Sequence, residues 1–171
     1  MADFEYPGVR MVLEARLDRL KQRIKIDLST DDVITPSAIR YSYRLMFEER
    51  SIELMTYTPE TLLAEKIQTI LARGITTTRM RDYYDVYEIV VGNKVSIDKE
   101  VLAEAFTATC MKRKTIFGSE QIEKIVNEIS ADEGLSNLWD LYKNDNFYVG
   151  DIKWTGVCEA VCAYIRNNIS K

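Results

Sequence analysis

The sequence predicts an α+β protein, with a small antiparallel or mixed sheet of about three to four strands before a bundle of about five to six helices. Apolar and polar residues alternate near the N-terminus, for example in "IKIDLS" at 24–29, which is typical of a strand. From Thr58 onward, apolar residues instead recur at the spacing of a helix. We therefore predict a sheet region at 1–57 and a helical domain at 58–171.

The strand region divides into three segments. Residues 9–23 have apolar residues at mixed spacing, and this segment is compatible with either a strand or a helix. The strand predicted at 24–29 places Asp27 on the side opposite its apolar residues. Two further strands are predicted at 39–47 and 51–57, and a short polar turn joins them as in a hairpin.

The first helix has recognisable signals at both ends. Thr58 is a suitable N-cap residue, and Pro59 suits the first helical position. Gly74 suits the left-handed conformation that often ends a helix. These signals predict a helix over 59–73.

The rest of the chain is predicted to be helical. The second helix is expected to be closed by Gly92 and Asn93, and the third to begin after Ser96 or Asp98. The second helix is predicted at 79–91, and the third is expected to end near 113. The remaining helices are predicted at 119–130, 134–144 and 155–169.

Composition excludes several classes of chemistry. The 171 residues include no histidine, which removes His-based acid–base catalysis, Ser-His-Asp and Cys-His nucleophiles, and the usual zinc sites. Catalysis would have to use carboxylates, Lys, Arg, Tyr or a hard cation. The net charge of -4 offers no general attraction for polyanions, so any nucleic-acid contact would need a local basic patch.

The three cysteines and the hydropathy pattern predict an intracellular protein. The cysteines are odd in number and the chain has no secretory signal, so we expect reduced thiols in the cytoplasm. Cys158 and Cys162 share a helix face and are expected to lie in the core. No apolar run is long enough to span a membrane, so we expect no membrane partner.

Lys66 interrupts the apolar side of the first helix. On a helical wheel it falls between Leu62 and Ile70, opposite most of the polar residues. An ammonium group is buried only at a large cost unless an anion compensates it. Lys66 should therefore extend to the surface or face a carboxylate or phosphate.

The second helix offers an anion for Lys66. Asp82 falls at the edge of its apolar arc, whereas Asp85 is expected on the solvated face. A Lys66–Asp82 pair would be either structural or half of a site. Asp27 is a third candidate, because a strand carboxylate is a natural Mg²⁺ ligand, although an ordinary exposed residue is the alternative.

Two sequence motifs on these helices resemble a known family. The first is "AEK" at 64–66, and the second is "R-x-[KR]-D-x-x-D" at 79–85. Together they resemble the AbiEii/AbiGii toxins, nucleotidyltransferase-like proteins of abortive infection and type IV toxin–antitoxin systems, over nearly the whole chain. The resemblance implies a polymerase-beta-like nucleotidyltransferase core, followed by a helical domain.

The resemblance also implies an activity and residue roles. Such enzymes transfer a nucleotide from an NTP, and tRNA is an RNA acceptor for some relatives. By motif, Asp27 matches a magnesium ligand, and Lys66 and Asp82 match catalytic positions. Lys66, Arg79 and Asp85 match nucleotide-binding positions. A cognate antitoxin is the implied protein partner.

One part of the family pattern is not found before Asp27. The family has a Gly-Ser or Gly-Gly turn followed by an Asp-x-Asp pair, and neither occurs there. We therefore expect a truncated core without activity on its own, because one strand carboxylate does not readily hold two metal ions. The alternative function is a non-catalytic module that binds an antitoxin, a partner subunit or RNA.

Two other clusters have structural and functional interpretations. The basic segment 112–114 would either contact RNA phosphates or form a solvated helix end. Tyr83, Tyr84 and Tyr87 are most simply explained by packing in the core and between helices.

Overall fold

The computed structural model describes residues 8–29, 32–92 and 95–169. Four strands in these ranges form two separate antiparallel hairpins, and six α-helices follow them. The predicted α+β class and the order of its elements are confirmed. The chain divides into two compact units, Met1–Val33 with one hairpin and Ile34–Lys171 with the other hairpin and the helices. The domain boundary at 57/58 stays a prediction.

The first hairpin consists of β1 (Gly8–Leu17) and β2 (Leu20–Ser29). The segment 9–23, which is compatible with a strand or a helix in sequence, forms strand on both sides of a two-residue turn. Asp18 in this turn has a φ of 52°. Alternation places apolar side chains on one face and most of the charged ones on the other. The apolar face consists of Val9, Met11, Leu13, Ala15, Leu17, Leu20, Ile24, Ile26 and Leu28, all of them exposed.

The second hairpin pairs β3 (Ile39–Arg44) with β4 (Ser51–Thr56). Both strands were predicted, but β3 ends earlier than expected. Met46 and Phe47 lie in the connecting turn and are almost fully exposed, so they do not extend the ladder.

The helices follow the predicted order closely. Their bounds are α1 (Pro59–Arg73), α2 (Met80–Val91), α3 (Lys99–Lys112), α4 (Ser119–Ala131), α5 (Glu133–Asp145) and α6 (Trp154–Asn168). α2 ends at Val91 with Gly92 as its C-cap residue, as predicted, and the Gly92 N–H donates to the Glu88 carbonyl. Asn93, the other predicted cap, lies outside the described residues. No helix in the described ranges has the length and apolar character that a membrane crossing requires.

The local signals at the ends of α1 act as the sequence predicts. Thr58 accepts a hydrogen bond from the Thr61 N–H at 3.2 Å, and Pro59 is the first helical residue. Gly74 has a φ of 50°, and its N–H donates to the Ile70 carbonyl. These contacts satisfy backbone groups that a helix end leaves without partners.

The buried face of α1 is rotated relative to the wheel prediction. Thr61 and Gln68 are buried although they were expected on the polar side, and Leu62 is partly exposed. The reason is that each buried polar group has a tertiary partner. Gln68 bonds Arg113 and Thr115, and the Thr61 hydroxyl donates to the Thr35 carbonyl at 2.9 Å.

The apolar core lies among the six helices. α1 packs against α2, α3 and α4, and α2 packs against α5 and α6. Tyr83 of α2 is fully buried, with its ring centroid 5.1 Å from that of Trp154. This packing holds the first turn of α2 beside the middle of α1, where the charged residues of both helices meet.

Replacing Thr58 with alanine should lower the free energy of unfolding by about 1–2 kcal/mol, because the substitution removes the N-cap bond of α1. It also removes the Thr58 hydroxyl that donates to the Thr35 carbonyl. Urea unfolding followed by circular dichroism measures the change. Thr107→Ala is the matched control, because the Thr107 hydroxyl bonds only within α3 and is exposed. Equal losses in the two variants would contradict the capping role.

Candidate functional site

Lys66 lies between two carboxylates of α2. Its Nζ is 2.6 Å from Asp85 Oδ2 and 3.3 Å from Asp82 Oδ1. The two aspartates are three residues apart, so they lie on the same side of α2 and face the same lysine. The Lys66 side chain is only 15% exposed, which the two negative charges make tolerable.

The two aspartates differ in how firmly they are held. The Asp82 side chain is 5% exposed, and its Oδ2 accepts a hydrogen bond from Arg79 Nε at 2.7 Å. It also lies in the first turn of α2, where the helix dipole stabilises a negative charge. The Asp85 side chain is 26% exposed and lies on the more open side of Lys66. Asp82 is therefore the fixed anion and Asp85 the more accessible one.

These charged groups line an open cleft between α1, α2 and α5. Its volume is about 790 Å³, within the range of small-molecule sites. Three basic and three acidic side chains line it, so the cleft is electrically balanced. They are Lys66, Arg79, Arg81, Asp82, Asp85 and Glu88. A negatively charged ligand would therefore have to compete with the resident carboxylates for the basic groups.

Tyr142 of α5 supplies an aromatic wall of the cleft. Its ring packs on Trp139 with 5.6 Å between centroids, and its hydroxyl is 2.9 Å from the Tyr148 hydroxyl. Burial raises the pKa of Tyr142, and the Tyr148 hydrogen bond and the charge of Asp85 raise it further. Tyr142 therefore stays a neutral phenol and can offer a ring edge or a hydroxyl to a ligand.

The structure brings four of the five predicted site residues together. Lys66, Asp82, Asp85 and Arg79 form one cluster. The expectation that Asp85 lies on a solvated face is wrong, because Lys66 reaches across from α1 and binds it. A wheel of α2 alone cannot show a partner on another helix. The i, i+3 spacing of the two aspartates indicates only that both lie on the same side of α2.

The sequence reasoning missed Tyr142 and Arg81 as cleft residues. Tyr142 lies far along the chain, and only the packing of α5 beside α2 brings it to the site. Arg81 is four residues before Asp85, and its Nε lies 3.8 Å from Asp85 Oδ2. The i, i+4 charge pattern could have indicated that pair.

Asp27 lies in the first hairpin, which is a separate unit. Its carboxylate accepts hydrogen bonds from Nε and Nη2 of Arg10, the second at 3.0 Å. Hydrogen bonding to Arg10 lowers the pKa of Asp27, and the charges of Arg10 and Lys25 lower it further. A carboxylate with two cationic neighbours on the same small sheet is a poor ligand for Mg²⁺, which needs several oxygen ligands.

No group of three or more His, Cys, Asp or Glu side chains in the described ranges is arranged to hold a metal ion. The assignment of Asp27 as a metal ligand stays a prediction.

The basic segment 112–114 has a structural role through Arg113. Its Nη1 donates to the Glu65 carbonyl at 3.3 Å and to Thr69 Oγ1 at 2.9 Å, and it also bonds Gln68. These bonds join the end of α3 to α1 on both sides of Lys66 in the sequence. RNA contact by this segment stays a prediction.

The structure agrees with the predicted packing of the tyrosines and with the predicted core positions of the two cysteines. Tyr83 is buried, and Tyr84 packs on Tyr148 with 5.3 Å between centroids. Cys158 and Cys162 are buried thiols with their sulfur atoms 3.8 Å apart. These groups build the core behind α2.

Comparison with known families decides the assignment. A family model described as nucleotidyl transferase AbiEii toxin, type IV TA system, matches residues 2–162. The chain belongs to the AbiEii toxin family. Membership makes this AbiEii protein a nucleotidyltransferase-like toxin with a cognate antitoxin as the expected partner. Neither among curated proteins nor among solved structures does any significant match occur.

Replacing Asp82 with alanine should lower the free energy of unfolding of this AbiEii protein by about 2–3 kcal/mol, because it leaves Lys66 and Arg79 without their most buried partner. Chemical denaturation followed by tryptophan fluorescence measures the change. Asp140→Ala is the control, because Asp140 is an exposed carboxylate on α5. A loss at Asp82 no larger than that at Asp140 would show that the ion pair has no structural role.

Proposed function

We propose that the cleft binds the phosphates of an NTP, and that this protein acts in nucleotide transfer to an RNA acceptor such as tRNA. The observation that carries the proposal is the position of Lys66. Its ammonium group is held by two aspartates at the wall of an open cleft of about 790 Å³. Membership of the AbiEii family supports nucleotidyl transfer as the reaction, and a lysine at the wall of the cleft suits the binding of phosphate groups.

The geometry of Lys66 supports phosphate binding. An ammonium group has three N–H donors, and Asp82 and Asp85 occupy two of them. The aliphatic stem is mostly buried, so little side-chain freedom remains to be lost when a ligand binds. A point charge of this kind, fixed before binding, is a common way to hold a phosphate group.

The neighbouring residues have distinct proposed roles. Asp82 positions Lys66 and Arg79 by accepting from both. Arg79 adds a second positive charge to the lining of the cleft. In nucleotidyl transfer most of the catalytic effect comes from positioning and from stabilising the charge on the phosphates, which are functions that Lys66 and Arg79 can perform.

We also propose that the 171-residue chain does not complete the transfer by itself. Family enzymes use magnesium held by strand carboxylates, and Asp27 is the candidate for that role in this chain. Its bonding to Arg10 leaves it poorly suited to a metal ion. Under this proposal, phosphate binding and complete transfer are separable properties.

The alternative function is a non-catalytic module that binds an antitoxin, a partner subunit or RNA. The observation that favours it is the first hairpin, whose nine-residue apolar face is exposed. Contiguous exposed apolar surface is typical of sites where another polypeptide binds. A cytoplasmic location is part of both proposals.

Replacing Lys66 with alanine should weaken NTP binding by at least about tenfold, since it removes the charge at the centre of the site. Isothermal titration calorimetry with each of the four ribonucleoside triphosphates measures the dissociation constants. Lys124→Ala is the matched control, because Lys124 is an exposed lysine on α4 that pairs with Glu128. Equal affinity of the two variants for every NTP would refute the proposed site.

The proposal of incomplete transfer is tested with Mg²⁺, labelled NTPs and total tRNA. We expect no label in the RNA from the 171-residue chain. Incorporation that is lost in Lys66→Ala and Asp82→Ala would show that the chain is a complete transferase, and that the expectation of inactivity is wrong.

A further inference from the structure

We infer that Asp85 is an internal anion that occupies the phosphate position at Lys66, and that a ligand phosphate displaces it toward Arg81. This inference rests on the proposed function, because it needs Lys66 to bind phosphate. It assigns to Asp85 a role in setting affinity, rather than direct contact with the nucleotide.

The first step is that Asp85 occupies the place a phosphate would take. It makes the shorter of the two ion pairs with Lys66, at 2.6 Å against 3.3 Å. A charge-assisted bond from Nζ to a phosphate oxygen would need about the same length. Since Asp85 is the more exposed of the two carboxylates, a phosphate that approached Nζ from the cleft would meet Asp85. A phosphate would be a third anion at this ammonium group, beside Asp82 and Asp85, and the added repulsion would disfavour keeping Asp85 and the phosphate there together.

The second step is that Asp82 is the carboxylate that stays. It is nearly fully buried, lies in the first turn of α2 and accepts a second bond from Arg79. If Asp82 moved away from Lys66, the buried Asp82 carboxylate would lose one of its two cationic partners, which is costly for a buried charge. Asp85 has no such restriction, because about a quarter of its side chain is exposed.

The third step is that Asp85 has another partner within reach. Arg81 Nε is 3.8 Å from the same Oδ2 atom that contacts Lys66. The Arg81 side chain is 77% exposed, so it can adjust its position without disturbing the core. A rotation of the Asp85 side chain would exchange Lys66 for Arg81, without requiring a change in the α2 backbone.

The consequence is a selective site. A ligand must supply more negative charge to Lys66 than one carboxylate does in order to displace Asp85. Polyphosphates meet this requirement better than singly charged anions or neutral ligands. The wild-type affinity for phosphate is correspondingly lower than it would be without Asp85.

The test uses inorganic triphosphate and isothermal titration calorimetry of the full chain at fixed ionic strength. Asp85→Asn keeps the shape of the side chain and removes the charge, and it should bind triphosphate about tenfold more tightly than the wild type. Asp140→Asn is the matched control, because Asp140 is an exposed carboxylate on α5 and the variant loses the same charge by the same change of side chain. It should change affinity by no more than about twofold through the general field.

A comparable gain in Asp85→Asn and Asp140→Asn would overturn the inference, since it would show only the effect of net charge. Weaker or unchanged binding in Asp85→Asn would also overturn it. Asp85→Ser provides a second charge-removing variant if the asparagine variant does not fold, and the same gain is expected. Circular dichroism establishes that each variant is folded.

A double-mutant cycle tests the role of Arg81. Arg81→Gln should weaken triphosphate binding in the wild type, because Asp85 then has no alternative partner in place. The same substitution should have little effect when Asp85 is already asparagine. An equal loss of triphosphate affinity in both backgrounds would show that Arg81 contacts the phosphate directly. That result would overturn the inference that Asp85 exchanges Lys66 for Arg81.

The Lys66→Ala variant separates failure of the inference from failure of the proposed function. If triphosphate binds equally well to Lys66→Ala and the wild type, the proposed phosphate site is wrong and the inference falls with it. If binding depends on Lys66 but not on Asp85, only the inference is overturned.

Discussion

The positive charge of Lys66 is the constraint on which the arrangement of the helical region depends. A mostly buried ammonium group requires anions, and both of its anions come from α2. The position of α2 against α1 is therefore fixed by charge as well as by apolar packing. Because Asp82 also accepts from Arg79, the same contact brings a second basic group to the cleft. Stability and the proposed phosphate binding thus depend on the same few atoms.

Other polar contacts hold α1 so that Lys66 faces α2. Arg113 binds one side of the helix through Gln68 and nearby backbone, and the N-terminal turn is joined to the Thr35 carbonyl. A helix held only by apolar side chains can rotate at modest cost, whereas buried hydrogen bonds are lost if it rotates. The polar groups that seemed misplaced on α1 therefore specify its orientation. This explains why the middle of α1 can present a charged group reliably.

The two units of the chain have different physical properties. The helical region has a well-packed core around Tyr83 and Trp139, and it contains the cleft. The first hairpin has two strands and an exposed apolar face, and a two-stranded sheet alone is marginally stable in water. The nucleotide-binding and polypeptide-binding proposals therefore concern different parts of the protein. Under these proposals, an AbiEii toxin would use one part to bind the nucleotide and the other to bind a cognate antitoxin.

The sequence by itself determined the element order and the bounds of α1, and it indicated opposite charges near the buried sides of α1 and α2. These features depend on local signals, such as the caps at Thr58 and Gly74 and the period of apolar residues. Only the tertiary structure decided that Asp85 binds Lys66 and that Tyr142 lines the cleft. The physical reason is that burial and ion pairing depend on neighbouring helices, and the pattern within one helix carries no information about a partner from another.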